Sequence, residues 1–242
     1  MICMELDVFK YSSVGGRANN EDYCDCYAGD DCAVLVVADG LGGHDCGEVA
    51  SEIAVKAVIS AVAADSGTDL YEAIAAANEA IIARQAEDAA LEKMRTTVVG
   101  VKLMDAGLSY ANVGDSRFYY FRAGQKLFRS KDHSVPQLAV DMGELSEAEI
   151  RFSDDRNKLL KVLGEDENLS LPEEAPVISV APGDAFILCS DGFWENVFDQ
   201  EMEIDLAKSK SAEDWAYYMI KRLLLRVSGA HDNFTLICGR IV

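Results

Sequence analysis

Basic residues are scarce in this sequence. Lys and Arg together number 22 against 42 Asp and Glu, so that the formal net charge is −20 at neutral pH. Binding to nucleic acid or to an anionic membrane surface depends on Lys and Arg, and a chain with this balance repels both. We therefore expect no nucleic-acid partner and no membrane partner, whereas divalent cations would be attracted.

Other features that are missing restrict the architecture. Only four prolines occur in 242 residues, and no Ser/Gly-rich linker, low-complexity tract or internal repeat divides the chain. No apolar run approaches the length of a membrane span, and the chain does not open with the basic and apolar regions of a secretory signal. These observations predict a single domain over residues 1–242 in the cytoplasm, and we also expect a monomer.

The cysteines do not form a pattern typical of disulfides or of zinc. There are seven, an odd number, which favours free thiols in a reducing compartment. Cys24, Cys26, Cys32 and His44 lie near one another in the sequence and could suggest zinc. No Cys-x-x-Cys pair supports such a site, so that buried apolar thiols are the favoured interpretation.

The periodicity of apolar residues predicts grouped helices and grouped strands. Helices are expected over residues 47–64, 69–90 and 212–227, with Asp69 and Glu72 as a capping box at the start of the second. Strands are expected over residues 4–11, 33–38, 97–104, 108–112, 118–122, 177–180, 185–189 and 234–242, and short helical pieces over 135–155. Because the helices do not alternate with single strands, the order indicates an α+β fold with antiparallel sheets.

The common phosphate-binding and nucleophile motifs are absent. There is no Gly-Lys dipeptide and hence no Walker A loop, and the glycines from Gly40 to Gly47 do not fit G-x-G-x-x-G. No cysteine is followed by arginine six places later, which excludes the loop of the cysteine-dependent phosphatases. Ser116 and Ser190 lack the flanking glycines of a nucleophile elbow, and no stretch matches EF-hand spacing.

Acidic residues instead recur where predicted strands end or begin, next to glycine in three cases. The segments that carry them are RANNED, LVVADG, YANVGDSR, FILCSDG and AHDNFTLI. Each alone is better explained as a turn, since Asp-Gly and Asn-Gly are common turn formers. Together they suggest carboxylates that meet at one edge, where mutual repulsion would raise their pKa values unless a cation is bound. Oxygen ligands select hard ions such as Mg²⁺ or Mn²⁺.

Eight segments resemble, in the same order, those of a known family. They are RANNED, VVADGLGGHDCGEVAS, TTVVGVKL, ANVGDSR, KDHS, RNKLLKVLG, CSDGFWENV and HDNFTLI, which together extend from Arg17 to Ile237. The chain resembles the metal-dependent protein serine/threonine phosphatases, the PP2C or PPM family, in their compact bacterial form. The resemblance implies a four-layer α-β-β-α sandwich of two antiparallel sheets flanked by helix pairs, with a flap segment at about residues 134–163.

The resemblance also implies roles for individual residues. Two or three Mn²⁺ or Mg²⁺ ions would be bound by Asp22, Asp39, Gly40 through its carbonyl, Asp115, Asp191 and Asp232, with Asp115 at the third ion. Glu21 would act on the ions through bound water. Arg17 would bind the phosphate oxygens, for which its planar fork is suited, and Arg17, Asp39 and Asp191 would be the catalytic residues.

The implied reaction is direct hydrolysis of phosphoserine and phosphothreonine proteins, the products of a serine/threonine kinase. A water that bridges two metal ions would attack phosphorus, with no covalent enzyme intermediate. Leu41 stands where animal and plant members carry a histidine that protonates the leaving oxygen. Metal-bound water is the first candidate for that acid and His44 the second, although His44 is better explained as a structural cap, and His133 likewise as a structural residue.

Two further interpretations remain open at the level of the sequence. The chain could be a non-catalytic regulatory domain that binds a phosphoprotein, or a hydrolase of small phosphoesters. The flap is acidic, through Asp141, Glu144, Glu147, Glu149, Asp154 and Asp155. These residues are either a solvated surface or a feature that favours basic sequence around the phosphorylated residue.

Overall fold

Two antiparallel sheets form the centre of the molecule. The computed structural model describes residues 5–41, 46–165 and 169–242. Sheet A has the strand order β1 (Leu6–Ser13), β11 (Phe234–Ile241), β10 (Ala185–Cys189), β7 (Arg117–Arg122) and β8 (Gln125–Arg129). Sheet B has the order β2 (Asp22–Ala28), β3 (Cys32–Leu41), β5 (Val98–Met104), β6 (Gly107–Val113) and β9 (Val177–Ile178), with β4 (Arg95–Thr96) paired to the end of β3.

The two sheets pack face to face through alternate residues of their strands. From sheet B, the side chains at Leu35 and Val101 point between the sheets, and from sheet A those at Phe118 and Phe186 meet them. All four are fully or almost fully buried. Successive side chains of a strand point to opposite faces of the sheet. An apolar layer therefore forms where one face of each sheet is covered by the other sheet.

Helices cover the outer face of each sheet. Helices α1 (Gly47–Ala64) and α2 (Leu70–Glu87) pack on sheet B through buried residues such as Ala50, Val58 and Ile74. Helices α4 (Asp191–Trp194), α5 (Asp199–Lys208) and α6 (Ala212–Arg226) pack on sheet A. Two apolar cores therefore lie outside the sheets and one lies between them, and the predicted four-layer α-β-β-α sandwich is confirmed.

The flap segment contains α3 (Val135–Asp141) and a 3₁₀ helix (Glu147–Phe152), as the polar and irregular composition of this region predicts. Some predicted bounds need correction. The second helix ends at Glu87 rather than near residue 90, because Ala89–Leu91 forms a separate 3₁₀ turn. The strand predicted over residues 177–180 contains only Val177–Ile178. Among the described residues, no helix is both long and apolar enough to cross a bilayer.

Two glycines within strands allow a stability test of the packing between the sheets. A Cβ on Gly239 would overlap the ring of Phe186, its neighbour on β10, whereas a Cβ on Gly100 would meet its nearest atom at 3.7 Å. We expect Gly239→Ala to lower the free energy of unfolding by about 1–3 kcal/mol, because a buried ring must move. Gly100→Ala is the matched control and should be close to neutral; denaturant unfolding that showed equal effects would contradict this packing.

Candidate active site

The strands bring acidic residues from distant parts of the sequence to one end of the sandwich. Asp39 lies near the end of β3 and is directly paired with Asp22 at the start of β2. Asp191 begins α4, immediately after β10, and Asp232 precedes β11, the neighbour of β10. Asp115 lies in the connection from β6 to β7. The order of strands in the two sheets therefore determines which carboxylates meet.

A cavity of about 370 Å³ opens at this end of the sandwich. Its lining consists of Arg17, Ala18, Asn19, Glu21, Asp39, Gly40, Leu41, Asp115, Asn157, Leu159, Asp191, Asp232 and Asn233. Seven of the eight site residues that the sequence predicts belong to this lining. The eighth, Asp22, is buried opposite Asp39 but is not among the lining residues.

Asp22 illustrates the electrostatic state of the cluster. Its Oδ2 accepts a hydrogen bond of 2.7 Å from the Ser190 hydroxyl. Among the described residues, no partner reaches its buried Oδ1. Burial raises the pKa of Asp22 to about 7, and the nearby Asp191 and Asp232 carboxylates contribute to the rise. Hydrogen bonds to Asp22 oppose this shift but do not cancel it. The side chain therefore has an unused oxygen and a charge that its surroundings do not compensate.

The other buried carboxylates show the same effect. Burial raises the pKa of Asp39 well above its ordinary range, and repulsion from Asp22, Asp191 and Asp115 adds to this. The pKa values of Asp115 and Asp191 are also raised, first by burial and then by neighbouring carboxylates. Such a cluster requires protons or bound cations to be stable near neutral pH.

The donor set suits hard divalent cations. It consists of carboxylate and carbonyl oxygens, which Mg²⁺ and Mn²⁺ prefer. Within the described ranges, no three His, Cys, Asp or Glu side chains converge closely enough to hold a metal ion by themselves. Mg²⁺, however, keeps several waters and needs only one or two carboxylates from the protein. The unused oxygen of Asp22 and the raised pKa of Asp39 fit a site of this open kind.

Gly40 and Gly192 are required where backbones meet around the cavity. A Cβ on Gly40 would overlap the Gly47 carbonyl at the start of α1, and a Cβ on Gly192 would overlap the Asn233 carbonyl. The amide of Gly40 also donates to the Glu21 carbonyl at 3.0 Å. The glycine in each Asp-Gly pair therefore holds two chain segments together beside the acidic residue that precedes it.

Arg17 lies at the mouth of the cavity. Its Nη2 donates to Asp232 Oδ2 at 2.8 Å, and just over half of its side chain is exposed. This hydrogen bond is the main cause that raises the pKa of Arg17, with a smaller contribution from Asp191. The guanidinium is thus held beside the carboxylates and remains accessible to a ligand.

Asn233 is a site residue that the sequence reasoning missed. Its side-chain oxygen accepts from the Glu21 amide at 2.9 Å, and its Nδ2 donates to the carbonyls of Val14 and Asn19. These three bonds fix the segment that carries Arg17 and Glu21 to the start of β11. Its place directly after Asp232, in the segment HDN, was the available signal.

Glu195 was also missed, although it lies one helical turn after Asp191. Burial and the Asp191 carboxylate raise the pKa of Glu195 to about 7, against the opposing charge of Arg156. Arg156 Nε lies 3.0 Å from Glu195 Oε1 and belongs to the flap segment. The pair therefore connects the flap to α4 close to the cavity.

A buried arginine supports the backbone at Asp115. Arg117 pairs with Asp132 through Nε and Nη2 at 2.8 and 2.6 Å, and its guanidinium stacks on Trp194 with 3.4 Å to the ring centroid. The Trp194 Nε1 donates to the Asp115 carbonyl at 2.9 Å. The segments GDSR, KDHS and DGFW thus form one packed unit beneath the cavity.

The flap contributes Asn157 and Leu159 to the cavity lining. Four of its acidic residues have partners within the chain. Asp141 pairs with Lys131, Asp155 with Lys158 and Glu147 with Arg129, while Glu149 accepts hydrogen bonds from Ser146. These pairs weaken the argument that the flap acids select basic substrates, which stays a prediction.

The structural interpretation of His133 agrees with its contacts. Its Nδ1 accepts from the Gly114 amide at 3.3 Å, and its own amide donates to the Gly114 carbonyl. His44 lies outside the described residues, so its suggested roles stay predictions. Among the described residues, no disulfide joins the six cysteines from Cys24 onward, and four of them are buried; Cys3 lies outside the described residues.

Comparisons with known proteins agree with this geometry. A sequence model of the family described as Protein phosphatase 2C matches residues 11–224. The serine/threonine protein phosphatase PstP of Mycobacterium tuberculosis is 33% identical over 233 residues, which cover 93% of this chain and 43% of that protein. The serine/threonine phosphatase Stp of Listeria monocytogenes is 30% identical over 230 residues, covering 91% and 90%. The chain therefore spans less than half of the mycobacterial relative.

Solved structures show the same fold. The crystal structure of the Mycobacterium tuberculosis phosphatase PstP/Ppp has a TM-score of 0.80 at 30% identity, covering 97% of this chain and 98% of that one. The PstP catalytic domain in complex with two manganese ions also has a TM-score of 0.80 at 30% identity, with 99% of each chain covered. By sequence and by structure, this chain belongs to the protein phosphatase 2C family.

Proposed function

We propose that this chain is a metal-dependent protein serine/threonine phosphatase. The observation that carries the proposal is the set of carboxylates led by Asp39, Asp115 and Asp191, whose burial and mutual repulsion raise their pKa values in one open cavity beside Arg17. The names of the PstP and Stp relatives support the activity, and the PstP domain in complex with two manganese ions supports the cofactor.

Asp22, Asp39, Asp191 and Asp232, with the Gly40 carbonyl, would hold two Mn²⁺ or Mg²⁺ ions, and Asp115 a third. Glu21 lines the same cavity and would position their water ligands. When bound, the cations supply positive charge and an activated water nucleophile. The raised pKa values of Asp39 and Asp191 mean that this cluster binds cations in competition with protons.

Arg17 would orient the phosphoryl group. Its planar guanidinium can donate to two phosphoryl oxygens at once, and Asp232 holds it in place with one hydrogen bond. As charge develops on these oxygens during the reaction, a donor already in position stabilises it without reorganisation. Asn233 fixes the segment on which Arg17 lies and is therefore a positioning residue.

Water rather than a side chain would attack phosphorus. Among the described residues that line the cavity, none is Ser, Thr, Cys or His, so that the usual covalent nucleophiles other than carboxylates are missing there. The carboxylates are needed for the cations. Leu41 also lines the cavity and has no proton to give, so that water would protonate the leaving seryl or threonyl oxygen.

The remaining expectations are part of the same proposal. The chain would be a single domain over residues 1–242, acting as a monomer in the cytoplasm on proteins phosphorylated by a serine/threonine kinase. The low proline content and the lack of a Ser/Gly-rich linker support a single domain, and the scarcity of basic residues argues against a nucleic-acid or membrane partner.

Phosphate release from a phosphothreonine peptide tests the function. We expect hydrolysis with Mn²⁺ or Mg²⁺ and none in excess chelator, and faster hydrolysis of the peptide than of p-nitrophenyl phosphate at equal concentration. Hydrolysis of the small ester alone would favour a phosphoesterase of small molecules. Binding of the peptide without any hydrolysis would favour a regulatory domain.

A further inference from the structure

A second cavity, of about 240 Å³, lies between the flap and sheet A and has a different charge from the active site. We call it the flap cavity. Its lining consists of Arg117, Lys126, Arg129, Glu147, Ala148, Arg151, Phe152, Phe198, Asp199 and Gln200. Four of these residues are cations and two are carboxylates, in a chain whose net charge is −20. Among the described residues, the two cavities have no lining residue in common.

Two of the cations share one carboxylate. Arg117 Nη2 lies 2.6 Å from Asp132 Oδ2, and Arg129 Nη1 lies 3.5 Å from Asp132 Oδ1. A second carboxylate reaches Arg129 only weakly, since Glu147 Oε2 is 3.6 Å from Arg129 Nε. Glu147 is half exposed on the flap, whereas Arg129 is buried. The Glu147 carboxylate can therefore turn into solvent and leave its place to another anion.

The other two cations share Asp199. Lys126 Nζ is 2.6 Å from its Oδ2, whereas Arg151 Nη2 is 3.6 Å from its Oδ1. The short contacts of Arg151 are to backbone oxygens, with Nη1 donating to the Trp194 and Val197 carbonyls at 2.7 and 3.2 Å. Only 7% of the Arg151 side chain is exposed. A guanidinium that is this deeply buried is stabilised when an anion completes its contacts.

The electrostatic surroundings of Arg151 agree with this shortage of negative charge. Burial lowers the pKa of Arg151; the nearby Tyr119 and Asp199 oppose this only in part, and repulsion from Arg117 and Arg226 adds to the lowering. The first residues of α5, Asp199 and Gln200, also line the cavity, and the first amides of a helix have no acceptor within the helix. Cationic side chains and a helix N-terminus thus surround one small space.

We propose that the flap cavity binds a phosphate-type dianion at a site separate from the active site. Arg129 and Arg151 would be its main ligands, and Glu147 would be displaced from Arg129. The bound anion would join the flap, which supplies Arg151, to the body of the protein, which supplies Lys126 and Arg129. Free phosphate and a phosphate group on a peptide offer the same chemistry.

Titration of the purified chain with inorganic phosphate in excess chelator tests this proposal, at ionic strength held constant with chloride. Without divalent cations, the acidic active site repels phosphate, so that binding there is disfavoured. We expect saturable binding by calorimetry and a matching rise in melting temperature. A titration with a phosphothreonine peptide then identifies the source: tighter binding of the peptide indicates a phosphoprotein, and tighter binding of phosphate indicates the free ion.

Two substitutions that change the charge of the flap cavity in opposite directions test whether phosphate binds there. Glu147→Gln removes a competing carboxylate and should tighten phosphate binding, whereas Gln200→Glu adds one at an exposed position and should weaken it, each by roughly tenfold. Glu144→Gln makes the same chemical change on the flap outside the cavity and should have no effect. Arg17→Ala, in the active site, should have none either.

Three results would overturn the proposal. They are the absence of saturable binding by either probe, an affinity that Glu147→Gln and Gln200→Glu leave unchanged, and loss of binding in Arg17→Ala. None of them bears on hydrolysis with Mn²⁺, so that this proposal and the proposed phosphatase activity can fail independently.

Discussion

Asp39→Asn is expected to reduce hydrolysis of a phosphothreonine peptide with Mn²⁺ by on the order of 10²- to 10³-fold or more. Burial raises the pKa of Asp39, and repulsion from three other carboxylates of the cluster, those of Asp22, Asp191 and Asp115, adds to the rise. Removing its charge weakens cation binding and with it the supply of activated water.

The same substitution should stabilise the metal-free protein. Asn has nearly the shape of Asp and carries no charge, so that it removes both the burial cost of the Asp39 carboxylate and its repulsion of Asp22. We therefore expect a higher melting temperature in chelator together with the loss of activity. Asp30→Asn, at an exposed position, is the matched control and should change neither quantity. A variant that is inactive because it unfolds would contradict this explanation.

The stabilisation of the protein by Mn²⁺ is expected to grow steeply as the pH rises from about 5 to about 7. The pKa of Asp22 is raised to about 7, and those of Asp39, Asp115 and Asp191 are raised as well. A carboxyl whose pKa is higher in the folded than in the unfolded state binds more protons when folded. It therefore favours folding at low pH, and this contribution is lost as the pH rises through the folded-state pKa.

Cations bind the deprotonated carboxylates and thereby offset the stability that the protein loses as these groups deprotonate. The difference in melting temperature between Mn²⁺-saturated and metal-free protein isolates the effect, because carboxylates elsewhere contribute equally to both samples. A difference that stays constant from pH 5 to pH 8 would show that the buried carboxylates do not bind the ion. The same measurement on Asp39→Asn should give a smaller dependence on pH.

The sequence predicted best those elements whose pattern is local. The bounds of α1, Gly47–Ala64, and of β10, Ala185–Cys189, agree with the structure at both ends. The long alanine- and valine-rich stretch has a clear helical period, and the short apolar run before Ser190 is fully buried in the sheet. In both cases local composition and tertiary environment favour the same conformation.

Elements with mixed composition were missed. Strand β2, DYCDCYA, alternates thiols and acids, and it is a strand because it pairs with β3 along its whole length. Helix α5, DQEMEIDLAK, is mostly polar and is fixed at its start by Glu201, whose side chain accepts from the Phe198 amide at 2.9 Å. Strand β8 is a short edge strand. Tertiary contacts rather than local propensity decide these three cases.

The positions of the candidate site residues at strand ends could be read from the sequence, but their arrangement in space could not. Acidic residues at strand ends can be read from the sequence, and all except Asp22 line the cavity. That Asp22 lies opposite Asp39 depends on the pairing of β2 with β3, and that Asp191 lies beside Asp232 depends on the pairing of β10 with β11. Asn233 and Ser190 were missed because their roles consist of hydrogen bonds to residues far away in the sequence.

Anomalous diffraction from crystals of the chain grown with Mn²⁺ tests the central claim most directly. We expect at least two manganese peaks in the active-site cavity, contacted by Asp39, the Gly40 carbonyl, Asp191 and Asp232. A well-diffracting crystal in saturating Mn²⁺ that showed no manganese peak beside these residues would contradict the account.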